Sequence, residues 1–485
     1  EDNHTIRELT FSDTIDSNTS ITATSTIIAG QSDIYGQTDS TGFRSTFNTP
    51  KGLALYPRDN PTDLLIADSG NNLVRSLQFT RTVKEISYSG TSHMLILFTN
   101  GLVGVRGINE YGRLGINIDS EWNGYFPNLQ INPYLSNIRK VYATHLGSYF
   151  IDHDNNVYAC GMPKGSNSPL QGLDKSPAPY NNVIYPQQIT SLTDVKSLSI
   201  RSWGDNNGGV VLHMDGTISS WTNISKVGHQ QSLGKVTDIS GNPIEDVVEV
   251  ACGTNYTIIR RNIQGNNVFS FGMNDMGQLG RSTGVDNYDL EVSPITNITG
   301  ATEIASGRDH CLALVESGEI YSWGNNDNDF PGAPGIADKL GRTLVGDPKP
   351  TYDATPTIIP NINNVKKIFA TFHNSYALHR DGSISSWGSA TDNSTNPLMH
   401  QTSGNSMPHK ISDANMDIIK DIKYISVPDH RRNLCLLNSL NEIYYIGENA
   451  AKQLGDFTNI TNTLTENVIP STLPSLCKTI AGTSG

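Results

Sequence analysis

Val250-Ala251-Cys252-Gly253, then Tyr256-Thr257-Ile258-Ile259, then Val268-Phe269-Ser270-Phe271-Gly272-Met273-Asn274-Asp275-Met276-Gly277-Gln278-Leu279-Gly280 is the sharpest copy of a recurring unit. Similar copies begin near Ile86, Val141, Leu198, Ile304, Ile368 and Ile425. Seven units spaced mostly in the fifties of residues fall within the range of periods that marks solenoids and propellers. In each, two short apolar runs flank a turn. Asn100-Gly101, Asp215-Gly216, Ser317-Gly318 and Asp381-Gly382 hold that place, and such pairs predict a type I′ hairpin. Flanking runs alternate, as in Ile320-Tyr321-Ser322-Trp323 and Ile384-Ser385-Ser386-Trp387, which gives each strand an inner and an outer face. Gly107, Gly161, Gly272, Gly324, Gly388 and Gly447 follow, in places expected to bar larger residues. Helical periodicity is weak. The expected fold class is all-β: seven small sheets, each needing neighbours on both faces, closing into a seven-bladed β-propeller.

Composition agrees. Only 17% of the 485 residues are charged, and 44 glycines help to fill the spaces between apolar runs. A formal charge of −13 with no Lys/Arg run argues against a nucleic acid or an anionic membrane as partner. The longest apolar runs, such as Met94-Leu95-Ile96-Leu97-Phe98, are far short of the roughly 20 residues of a spanning helix. No signal-peptide pattern opens the chain, and a start at Glu1 fits a processed or trimmed product. Cys160, Cys252, Cys311, Cys435 and Cys477 show no metal-site spacing, and most read as small core residues. Cys435 and Cys477 share the last unit and are the one candidate disulfide pair.

The units resemble repeats of the regulator of chromosome condensation family, which form seven-bladed β-propellers. The resemblance rests on Gly90…His93…Gly101…Gly107-Ile108-Asn109-Glu110-Tyr111-Gly112-Arg113-Leu114-Gly115. It recurs in Gly307-Arg308-Asp309-His310…Gly318…Trp323-Gly324-Asn325 and in Gly447-Glu448-Asn449…Gln453-Leu454-Gly455. It covers residues 84–478, with degraded second, third and sixth units. Insertions, notably Asp327 to Arg342, are expected to project as rim loops.

The first 83 residues resemble a different propeller repeat, that of the NHL family. Ala29-Gly30, Gly36…Asp39, Phe47-Asn48-Thr49-Pro50-Lys51-Gly52 and Asp68…Asn71…Val74-Arg75 follow its order. Asp2-Asn3-His4-Thr5-Ile6-Arg7 then resembles the tail of a preceding copy, and residues 479–485 the head of a following one. This predicts three segments: an NHL-like β segment at 1–83, the propeller at 84–478, and a further start at 479–485. Torn repeats suggest either a piece of a longer tandem array or a subunit whose ends complete one another between molecules.

No catalytic constellation stands out, and no metal or cofactor is expected. His93 and His310 share their repeat position with Tyr149, Tyr256 and Tyr376, so they read as packing residues rather than ligands. Asn325-Asn326-Asp327-Asn328-Asp329 begins like a calcium loop, but Phe330 replaces the required Gly and no closing Glu follows. Among the Asn-x-Ser/Thr sequons, Asn18, Asn223, Asn297, Asn393 and Asn459 are the glycosylation candidates, whereas Asn255 sits against a strand.

The expected function is that of a non-enzymatic extracellular or cell-surface protein building a filament or adhesive array. Its partners would be copies of itself, with glycans as a further candidate. The head-to-tail joint would use Asp2, Asn3, His4, Ile6, Arg7, Thr479, Ile480, Ala481 and Gly482. The alternative is a monomeric propeller module, an adaptor or inhibitor that recognises a protein partner with its loop rim.

Overall fold

The computed structural model describes residues 5–11, 23–30, 47–56, 63–78, 83–89, 92–118, 124–163, 170, 173, 181–203, 206–222, 233–283, 287–326, 339–345, 351–388, 407–411, 418–427, 434–439, 443–446 and 482–484. The chain forms two compact units: 83–471, and a smaller one combining 1–82 with 472–485. The terminal segment 479–485 therefore groups with the first segment.

In the larger unit seven antiparallel sheets follow one another, numbered here 1 to 7. Among the described residues six are four-stranded and the seventh has three strands. Each is a meander; sheet 5 runs Ala301–Ser306, His310–Val315, Ile320–Asn325 and Tyr352–Ile358. The first strands are Val83–Tyr88, Ile138–Ala143, Val195–Trp203, Val247–Cys252, Ala301–Ser306, Val365–Ala370 and Ile422–Ser426. Ile86, Val141, Leu198, Val250, Ile304, Ile368 and Ile425 are the fourth residue of each, so the sequence period is the sheet period.

The second strands depart from simple alternation. His93–Phe98, Gly147–Asp152 and Asn374–His379 are buried along their whole length. Each sheet is packed between two others, so neither face of its middle strands meets water. Ile258 packs in a core with Ile304, Cys311, Ala313 and Trp323 of sheet 5. Its neighbour Ile259 belongs to the core with Val210 and Leu212 of sheet 3. Burying such a side chain stabilises by about 1.5–3 kcal/mol, and here both alternating sets contribute. The inner-and-outer-face expectation fails for these strands.

The turns are also different. Gly101, Gly216, Gly318 and Gly382 have φ near +80°, yet none of Asn100, Asp215, Ser317 and Asp381 has positive φ, which a type I′ turn requires. Gly101 N donates to Phe98 O and Phe98 N to Leu102 O, and the other three hairpins repeat the pattern. These are three-residue loops, a type I turn closed by a left-handed glycine. Asp215 and Asp381 use their carboxylates to accept from Thr217 N and Ser383 N.

After the third strand the chain enters the Asn-x-x-Gly-Gln-Leu-Gly loop. Asn274 Oδ1 accepts from Leu279 N, and Gln278 O accepts from Trp323 Nε1 of the next sheet at 2.9 Å. In sheet 5 the same bonds run from Leu340 N to Asn326 Oδ1 and from Trp387 Nε1 to Lys339 O. Lys339-Leu340-Gly341-Arg342 is thus the buried end of the repeat loop, not part of a projecting insertion. The rest of that insertion, 327–338, lies outside the described residues.

First strands pack on one another between sheets 1 and 2, 3 and 4, 4 and 5, and 5 and 6, and between sheets 7 and 1. Tyr88 N donates to Ser426 Oγ at 3.1 Å across 338 residues of sequence, and this closes the ring.

In the smaller unit Thr5–Phe11 pairs with Ala23–Gly30, with Thr5 opposite Gly30. Pro50–Tyr56, Asp63–Asp68, Leu73–Gln78 and Gly482–Ser484 form a second sheet, with Gly482 opposite Arg75. The carboxylate of buried Asp68 accepts from Asn48 N and Asn71 Nδ2, which fixes the turn between two of its strands.

Candidate functional site

The first strands carry a shared irregularity at one end. In all seven the register shifts between the first and third residues, leaving the second as a bulge. The residue just before the strand is left-handed wherever it is described: Asn137, Asp194, Asp246, Gly300, Asn364 and Asp421. Asn, Asp and Gly tolerate that conformation best. The bulged residues are Lys84, Arg139, Lys196, Val248, Thr302, Lys366 and Lys423. Five neighbouring sheets, 6, 7, 1, 2 and 3, therefore place a cation at the same end of the ring, and sheets 4 and 5 do not.

Some of these side chains serve the ring itself. Lys84 Nζ donates to Arg139 O at 3.3 Å, and Arg139 Nη1 donates to Lys196 O at 3.0 Å. Each caps a carbonyl that the next bulge exposes. Deeper side chains tie successive first strands together. Ala143 N donates to Ser87 Oγ, Leu198 N to Tyr142 Oη, Cys252 N to Ser199 Oγ, Ile304 N to Glu249 Oε2 and Ile368 N to Glu303 Oε2.

The third residues carry opposing charges: Glu85, Lys140, Glu249, Glu303 and Lys367, beside Ser197 and Tyr424. Burial raises the Glu85 carboxyl above its usual range, against the pull of Lys140, Lys84 and Lys367. Burial, reinforced by the Glu249 charge, pushes Glu303 up to about 7 while Lys367 opposes. Burial also raises Glu249, although Arg260 Nε donates to it at 2.9 Å. Lys140 is lowered by burial, with Glu85 opposing. These groups sit close enough around the axis to set one another's charge. Beside them a cavity of about 410 Å³ is lined by Glu249, Thr302, Glu303, Glu316, Lys366 and Arg380, among others.

None of these charged positions stands out in a linear reading, although the signal is there. A Lys or Arg directly follows the Val or Ile that opens five of the first strands. The residues that do stand out are placed elsewhere. His93 and His310 are buried, and their Nε2 atoms meet Ser148 Oγ at 2.8 Å and Ser375 Oγ at 2.9 Å on the next sheet. Burial holds the His93 imidazole well below its ordinary pKa. Tyr256 Oη spans the equivalent seam between sheets 4 and 5, within 2.8 Å of His310 O and 3.1 Å of Gly307 O, which share its one hydroxyl hydrogen. Asn325 donates to Asp309, and Asn326 anchors its own loop. Cys435 is a buried thiol, and Cys477 lies outside the described residues. Asn297 is exposed in a turn, whereas Asn18, Asn223, Asn393 and Asn459 lie outside them. Of the expected joint, Ile6, Arg7 and Gly482 lie in strands paired within the chain. Asp2, Asn3, His4, Thr479, Ile480 and Ala481 lie outside the described residues.

Residues 266–314 and 301–329 match the Regulator of chromosome condensation (RCC1) repeat. Yeast RCC1 (Prp20) bound to Kap60 superposes with a TM-score of 0.53 at 19% identity, over 71% of this chain and 78% of that one. The ring is an RCC1-like β-propeller. Prp20 of Saccharomyces cerevisiae has also been solved in connection with its binding to Gsp1p and histones. Protein pim1 of Schizosaccharomyces pombe is 29% identical to this RCC1-like chain over 201 residues, 37% of this chain and 35% of that protein. Ultraviolet-B receptor UVR8 of Arabidopsis thaliana is 27% identical over 188 residues, 39% of this chain and 36% of the receptor. The matched stretch thus spans little more than a third of these relatives. The comparison overturns the extracellular or cell-surface expectation, because the RCC1-type relatives are proteins of the nucleus and cytoplasm. That expectation followed from the torn repeats at the two ends, which suggested a head-to-tail surface array.

Proposed function

We propose that this chain is a non-enzymatic binding module whose ring presents one end, the mouth with the bulged first-strand residues, to a protein partner. The observation that carries the reading is the closed ring with the same bulge repeated at one end of every sheet, its residue exposed or half-buried in each. A rigid circle of first strands holds seven side chains in fixed register, and rigid presentation lowers the cost of binding. The RCC1-like relative Prp20 supports it, since that protein engages Kap60, Gsp1p and histones. A head-to-tail polymer through the chain ends is the weaker reading, because Gly482–Ser484 already pairs with Leu73–Gln78 of the same chain.

Purified chain passed over immobilised Gsp1p, histones and Kap60 tests this. Saturable binding to at least one is expected, with sedimentation velocity giving a single monomeric species at every concentration. Failure with all three, with a mass that climbs with concentration, would replace the module by the polymer.

A further inference from the structure

We infer that the basic arc at the mouth, on sheets 6, 7, 1, 2 and 3, docks an acidic segment of a protein partner. This rests on the binding-module reading and names the chemistry its face would recognise. Five of seven bulged residues are Lys or Arg in a chain whose formal charge is −13, and they are contiguous only because sheet 7 closes on sheet 1. Capping of bulge carbonyls accounts for Arg139 and for part of Lys84. It does not account for Lys366, which is exposed and lines the mouth cavity with Arg380 and with Glu249, Glu303 and Glu316. Among the described residues, none of Lys84, Lys196 and Lys366 forms a salt bridge. In the next layer inward Lys140 and Lys367 face Glu85, Glu249 and Glu303, and Lys84 reaches inward to Glu85 as well. The outermost layer is thus basic at the bulge position of all five sheets, where a partner would meet it, with exposed Asp194 and Asp421 at the entries to sheets 3 and 7.

The geometry favours a peptide over a nucleic acid. A phosphate backbone needs an extended basic stripe. Here the cations curve around a mouth and stop at Val248 and Thr302, so they form a short bent arc instead of a stripe, bounded by Glu249, Glu303 and Glu316. A flexible acidic segment can follow the arc and leave sheets 4 and 5 uncovered.

The test is fluorescence anisotropy of the full chain with a labelled peptide of alternating Glu and Gly. A Lys-Gly peptide and a short DNA duplex serve as comparisons. The acidic peptide should bind, weaken steeply with salt, and lose at least about tenfold in affinity when Lys84→Glu, Lys366→Glu and Lys423→Glu are combined. Lys51→Glu with Lys235→Glu, exposed sites in other strands, should leave the affinity within about twofold. Circular dichroism checks that both variants fold. An acidic peptide that does not bind, or that is weakened equally by both variants, overturns the inference, and so does a preference for the duplex. If Gsp1p, histones or Kap60 still bind in that case, the module stands and only the acidic partner falls.

Discussion

Individual residues show how much one atom costs in this ring. Gly324 has φ of +101°, and an added Cβ would lie 2.5 Å from the Asp309 backbone oxygen. Gly324→Ala should therefore destabilise by about 2 kcal/mol or more, read as the shift in urea midpoint. A loss below about 0.5 kcal/mol would show that the strand relaxes freely. Glu303 makes a pH-dependent claim. Its folded carboxyl titrates near 7, above the ordinary value of 4.5. Between those values the folded chain binds the extra proton, so the charged Glu303 weakens the fold as pH rises through that window. Glu303→Gln should stabilise at pH 8 by about 1–2 kcal/mol, with the gain fading towards pH 4.5. Equal gains at both ends of the range would refute the assignment.

At the scale of elements, the loop after the third strand is the organising device. Asn274 accepts from Leu279 N and donates to Arg281 O and Thr283 Oγ1, so the loop closes on one side chain. Asn274→Ala should cost about 1–3 kcal/mol and speed amide exchange at Leu279, while exchange in sheets 1 and 2 stays unchanged. Protection at Leu279 that survives would assign loop closure to another bond. The sequence period was legible here because each unit repeats its own local bonds. The hairpins misled because Asn-Gly and Asp-Gly suit both a two-residue turn and a three-residue loop ending on glycine, and only the backbone register separates them. Lys339-Leu340-Gly341-Arg342 was hidden behind an insertion that parts it from Asn326. The mouth charges were invisible for a different reason: Lys84 and Lys423 become neighbours only when the ring closes.

For the whole molecule, closure converts a linear repeat into a face. Ser426 Oγ accepts the buried Tyr88 amide at the seam between the last and first sheets. Ser426→Ala leaves that amide without its acceptor, at a cost of about 1–3 kcal/mol. Amide exchange should rise in both Val83–Tyr88 and Ile422–Ser426 and not in sheets 3 and 4. A rise confined to one side would mean the seam is held by other contacts. The working face itself is tested most directly by lysine footprinting, comparing reductive methylation of the chain alone and with the acidic peptide bound. Protection of Lys84, Lys196, Lys366 and Lys423, with Lys51 and Lys235 unchanged, is the expected result. Protection at Lys235, or none at the four mouth lysines, would contradict it.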